Sequence, residues 1–163
     1  MIENYFTELS AFNLSTTNTV CSWLEKISDE QWNASVISSF GSIQETVLHV
    51  ISAENAWVER FHKKENVVRF EDEFQGTREE HIALWKNSSE QFKNFVTSFD
   101  ETKLNDEFSF KRFNGAPSSA KYYQAFAHAI NHATYHRGQI VTMLRQVGFA
   151  GLQSTDLIGY YRF

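Results

Sequence analysis

The sequence predicts an all-α protein, and three observations carry the prediction. Glycine and proline are scarce, at seven and one. Apolar residues recur at helical spacing over long stretches. Two of those stretches are preceded by serine or threonine with glutamate three residues later, a helix-start signature in which the hydroxyl and the carboxylate satisfy otherwise unpaired amide protons. The 163 residues, 42% of them hydrophobic, suffice for one core, and no shift in composition marks a second. A single domain over residues 1–163 with four long helices is therefore expected.

The first helix is placed from about Ile2 to Ile27, with Phe6, Leu9, Phe12, Val20, Trp23, Leu24 and Ile27 as its apolar set. The second follows SFGS, starts with a capping box from Ser42 to Glu45 and runs to about Lys64. The third starts in the same way at Thr77 and Glu80, carries Ile82, Trp85, Phe92, Phe95, Val96 and Phe99, and ends near Phe99 or Asp100. Next, FSFKRFNGAPSS alternates apolar and polar residues around Asn114-Gly115, so a hairpin-like loop with at most a short strand pair is expected. The fourth helix is given Ser118 or Ser119 as N-cap and ends at Gly148, a natural residue for the left-handed position after a helix. The tail LQSTDLIGYYRF is too apolar to float free and is expected to pack on the helices.

Charge and cysteine usage narrow the function classes. A formal net charge of −5 offers no general electrostatic footprint for nucleic acid or an anionic membrane, local basic patches aside. No apolar run approaches a membrane span. The one cysteine, Cys21, has no internal partner, and the opening MIENYFTELSAFNL does not read as a signal peptide, so the cytoplasm is the expected compartment.

The chemistry is concentrated in HAINHATYHRGQI, where histidines stand at 128, 132 and 136. At roughly 100° per residue, Tyr122, Phe126, Ala129, Ala133, Ile140, Leu144 and Val147 point within about 40° of one direction, which defines the core face. His136 then lies about 40° from that direction, His132 about 80° and His128 about 120°. Imidazoles four residues apart are roughly 6 Å apart along the axis and can share an ion, whereas 128 and 136, about 12 Å apart, cannot. The pair is thus 128/132 or 132/136, and burial favours the latter, with His128 at the site entrance or on the surface. Neutral imidazoles suit zinc, nickel, copper or iron, although a buried histidine bonded to a carbonyl needs no metal. A zincin peptidase is excluded, because its glutamate would follow His132, where Ala133 stands.

A third ligand has to come from His49, His62, His81 or a carboxylate. His62 is expected to face water, and His81, in the first turn of its helix, to be exposed and neutral. His49 falls at the edge of the second helix's apolar stripe, so periodicity permits an inward orientation without selecting it. Glu45 is either the third residue of its capping box or an acceptor for the second ring proton of His49. Glu54 falls within the stripe, so it is buried and paired, for instance with Arg137, or the helix is rotated from this phase. Asn131 and Gln139 are candidates for bonding ligands or substrate. Gly138 inside the helix suggests close passage of another backbone.

The histidine in the middle of the second helix, the H-x-x-x-H-R-G-Q segment from His132 to Gln139 and the closing TDLIGYYRF resemble the DinB/YfiT-like family, which is unrelated to the DNA polymerase sharing the name. The resemblance covers essentially the whole chain. It implies an up-down-down-up four-helix bundle, often a homodimer, with one divalent metal, zinc or nickel, on His49, His132 and His136. Glu45, Asn131, Arg137 and Gln139 are candidates for supporting the ligands, with a purely structural role as the alternative for each. Three nitrogen ligands leave a position open for water or a thiol. Relatives include thiol-dependent transferases and isomerases, so the resemblance implies a metal-dependent thiol S-transferase or a related detoxifying, hydrolase-like enzyme acting on a small thiol and an electrophile. A metal-binding stress protein without turnover is the alternative. Many relatives carry a histidine where this chain has Tyr135.

Overall fold

The structure, a computed structural model, describes residues 4–162. Four long helices dominate it: α1 (Tyr5–Leu24), α3 (Ile43–Phe61), α5 (Arg78–Ser98) and α6 (Tyr122–Gln146). Short helices α2 (Asp29–Asn33) and α4 (Phe70–Glu73) lie in the connections, and α7 (Leu157–Tyr160) lies in the C-terminal tail. Helices α1 and α3 each pack against both α5 and α6. Strands β1 (Glu107–Lys111) and β2 (Pro117–Lys121) form an antiparallel hairpin with Phe110 opposite Ser118. The expected start of the first helix at Ile2 lies outside the described residues. Among the described residues no helix is long and apolar enough to cross a membrane.

Several expected boundaries move, each for a local reason. The first helix stops at Leu24 rather than Ile27, because Ser28 and Gln31 form a complete capping box that starts α2; Ile27 is still buried. The third helix starts as expected, with Thr77 Oγ1 accepting from Glu80 N at 3.2 Å and Glu80 Oε2 accepting from Thr77 N at 2.6 Å. At Ser42 only half of the expected box forms: Ser42 Oγ accepts from Glu45 N, but the Glu45 carboxylate accepts from Gly41 N at 2.9 Å. Neither Ser118 nor Ser119 caps the last helix, since both are paired in β2. The helix begins at Tyr122, where the Tyr122 and Tyr123 amides donate to the carbonyls of Asp106 and Leu104, so backbone satisfies donors that a side-chain cap would serve. Its far end matches expectation: Gly148 takes φ 83° and Phe149 N donates back to Leu144 O at 2.9 Å.

The core comprises two apolar clusters. One is built from Val20, Trp23, Ile43, Val47, Trp85, Ile140 and Leu144, the other from Phe61, Phe92, Phe108 and Phe126 with their aromatic neighbours. Most of the aromatic residues are thus accounted for by packing. Asn13, Thr17, Glu54 and Ser89 form a buried polar layer at intermediate positions along α1, α3 and α5. The tail packs back as expected, with Leu157 against the phenylalanine cluster and Tyr160 edge-on to Phe12.

Candidate metal centre

The helix phase orders the three histidines of α6 as the structure does: His136 is buried, His132 half-buried and His128 exposed. Opposite them, α3 presents His49. One ring nitrogen from each of His49, His132 and His136 lies within 4.8 Å of the others. Ring centroids are 5.0 Å apart for His49 and His132, 4.8 Å for His49 and His136, and 4.4 Å for His132 and His136. Three histidines this close can hold a divalent metal. His128 lies tilted at 5.9 Å from His132 and edge-on at 5.4 Å to Trp57, outside the triad.

The outer nitrogens orient two of the rings. His49 Nδ1 is 3.0 Å from Glu71 Oε1, and a carboxylate acceptor draws a ring proton to that nitrogen, so a neutral His49 presents the Nε2 lone pair inward. His136 Nδ1 faces Gln139 Oε1 at 2.7 Å with the same consequence. Gln139 is held in turn by donating to Ser39 Oγ at 2.8 Å and Tyr135 Oη at 3.2 Å. The Nε2 atoms of His49 and His132 then approach to 3.1 Å. Burial, reinforced by the other three imidazoles, pushes the His132 pKa down to about 3, and burial lowers that of His136. His132 is therefore neutral at pH 7 and burial favours the neutral form of His136, the form that binds metals.

Glu71 is the residue that the sequence did not disclose. It sits on the one-turn helix α4, whose first amide, Phe70 N, donates to Ser52 Oγ on α3 at 3.0 Å. Its second oxygen is buried without a hydrogen-bond partner, with Arg69 Nε 3.8 Å away. Glu45 does not fill this role, because its carboxylate is committed to Gly41. Asn131 is exposed in a groove beside α1, away from the triad. Arg137 is buried, but it points to α1, donating to Asn13 Oδ1 at 2.5 Å and to Thr134 Oγ1 at 2.9 Å. Of the four proposed supporting residues, only Gln139 touches a triad histidine.

Other expectations are corrected. His81 is fully buried rather than exposed, because Trp32 and Phe74 close over its ring and its Nδ1 bonds Thr77 O at 2.7 Å. No backbone approaches Gly138, where a Cβ would meet nothing within 4 Å. Glu54 is buried at the expected phase, but its direct partners are Asn13 Nδ2 and Ser89 Oγ, both at 2.9 Å, and Arg137 reaches it through Asn13.

Comparison with known proteins gives the family and the fold. The chain is 26% identical to Protein DinB of Bacillus subtilis strain 168, across 96% of this chain and 92% of that protein. Its fold is similar to that of a DinB-like protein of Bacillus subtilis, with a TM-score of 0.66 at 18% identity, covering 91% of this chain and 97% of the other. A DinB-like protein of Bacillus cereus ATCC 10987 gives a TM-score of 0.65 at 16% identity, over 85% and 89% of the two chains. The DinB family model matches residues 1–160, and the chain belongs to the DinB family.

Proposed function

We propose that the protein is a metal-dependent thiol S-transferase of a detoxifying kind, with one divalent ion, zinc or nickel, on His49, His132 and His136. The observation that carries this reading is the convergence of the three imidazoles, two of them oriented from outside by Glu71 and Gln139. The donor set fits such an ion, because His49 Nε2 and His132 Nε2 lie 3.1 Å apart, close enough to share one proton, and a cation can take that proton's place between two neutral imidazoles. A divalent ion among neutral ligands keeps its full charge and an open position, and so supplies stabilisation of a thiolate at neutral pH. The chain's own residues orient and shield. Phe40 covers one side of the triad, 4.6 Å from the His49 ring and 5.9 Å from that of His136. Exposed Tyr135 packs edge-on to His136 at 4.9 Å, and its hydroxyl accepts from Gln139 Nε2 at 3.2 Å.

The up-down-down-up helix order belongs to the same reading and is supported by facing pairs. Thr46 meets Met143 while Phe61 meets Phe126, so α3 and α6 run oppositely. Thr17 meets Ser89 while Glu25 meets Lys86, so α1 and α5 do too. Glu54 meets Ser89 and Phe61 meets Phe95, so α3 and α5 run together. The reading also includes a homodimer, for which the apolar groove between α1 and α6, lined by Phe6, Leu9 and Ile130, offers a face.

The test is purified protein loaded with zinc or nickel and mixed with glutathione or bacillithiol and monobromobimane. Metal-dependent conjugation is expected with at least one thiol; its absence with all of them refutes the transferase. Elemental analysis of His136→Ala is expected to show no stoichiometric metal, and retained metal refutes the triad.

A further inference from the structure

A second cleft, of about 570 Å³, opens between the end of α3 and the hairpin. It lies 11 residues along α3 from His49, roughly 16 Å, and is independent of the metal reading. Its volume is in the range of small-molecule sites. The residue that sets its chemistry is Arg60, which is 7% exposed and lines the cleft. Its guanidinium carbon lies 4.9 Å from the Trp57 ring and 5.1 Å from each of Phe110 and Phe113. Rings packed on a guanidinium cover its faces and leave the in-plane N–H fork to find acceptors. Among the described residues it finds none: Nε is buried without a partner, and no carboxylate lies within ion-pair distance. Burial holds its pKa below the ordinary value, as expected of a cation with neither full hydration nor a counter-ion.

The rest of the wall points the same way. The turn that ends α3 places Lys63 and Lys64 on the rim, with Lys63 N donating to Arg60 O and Lys64 N to Glu59 O. Lys63 takes φ 57°, a left-handed conformation in which glycine is the easier residue, so an ammonium is kept at some conformational cost. Lys111 adds a further cation, against Glu65 and Glu107 on the wall and Glu59, whose Oε1 pairs with Lys64 Nζ at 2.9 Å, in a chain whose net charge is −5. Phe108, Phe110, Pro117 and Tyr122 supply apolar wall.

We propose that this cleft binds a small organic carboxylate with an apolar body, the carboxylate paired with the Arg60 fork and the body lying on the hairpin aromatics. Benzoate titrated into the full-length protein at low salt is expected to shift the Trp57 indole N–H resonance saturably, with a Kd of about 1 mM. Neutral benzamide is expected to give no saturable shift, and Arg60→Met to weaken benzoate roughly tenfold or more. Undiminished binding in a folded Arg60→Met variant overturns the proposal. Three wild-type results overturn it whether or not that variant folds: no saturation by benzoate, benzamide binding as tightly as benzoate, or inorganic phosphate producing the same saturable shift, which would mean that charge alone is read.

Discussion

Replacing Glu71 should weaken metal binding without removing a ligand. The Glu71 carboxylate holds His49 Nδ1 at 3.0 Å and is the only group among the described residues that does so. Its loss frees the ring to turn about its side-chain bonds and removes a negative charge that makes the opposite nitrogen more basic. Losing such a partner typically costs roughly 10–100-fold in metal affinity, or about 1.4–2.8 kcal/mol. Here the two side chains are 27% and 21% exposed, so solvent compensates for part of the loss and the lower end applies. Glu71→Ala is therefore expected to raise the Kd for zinc about tenfold. Glu71→Gln keeps a carbonyl acceptor while losing the charge, and should raise it about threefold. Competition against a chromophoric chelator at fixed pH and salt measures both, with His136→Ala as the variant that loses the site. A Glu71→Ala protein that binds zinc within about twofold of wild type would refute the orienting role.

Three further outcomes follow from the buried polar groups and from Gly138. Burial raises the Glu54 pKa to about 7, so the stability it favours is present below about pH 4.5 and lost as pH rises through 7; His132, pushed down to about 3, acts oppositely and loses stability as pH falls from 6.5. Denaturant titrations from pH 4 to 8 should show Glu54→Gln flattening the decline toward pH 7, and an unchanged slope would refute the assignment. Arg137→Met strands Asn13 Oδ1 and removes the cation that acts on Glu54, so urea unfolding should show a loss of about 2 kcal/mol, against less than about 1 if the layer is dispensable. Gly138→Ala should stabilise the chain by about 0.5–1 kcal/mol, because the new methyl meets nothing within 4 Å; destabilisation would mean that something covers that face.

Where a periodic signal ran for several turns, the sequence could be read well into the site. The apolar positions of α6 ranked His136, His132 and His128 by burial, and the threonine at 77 marked a helix start, because both features repeat over long elements or rest on local hydrogen bonds. Glu71 could not be found in the same way. It stands on a helix of four residues, too short for any period, and meets His49 across 22 residues of chain; the only trace is the acidic run FEDE. His81 was misjudged for a related reason, since the rings that bury it come from α2 and from the residue after α4. Ser118 and Ser119 have the chemistry of helix caps, but pairing with β1 claims their backbone first.

Arg137 connects the polar layer to the histidine triad. It follows His136 directly, and successive side chains on a helix point about 100° apart. With Arg137 bonded to Asn13 on α1, His136 is turned toward α3, where His49 lies. A seam of apolar side chains alone would tolerate a modest rotation of α6, because methyl groups slide over one another at little cost, whereas a guanidinium bonded to one amide oxygen tolerates little. Asn13 in turn donates to Glu54, which also accepts from Ser89, so the rotation of α6 is referenced to α1, α3 and α5 together. The R-G-Q that follows the last histidine therefore divides its labour. Arginine sets the azimuth of the helix, glutamine fixes the ring of His136, and the glycine leaves a face of α6 bare.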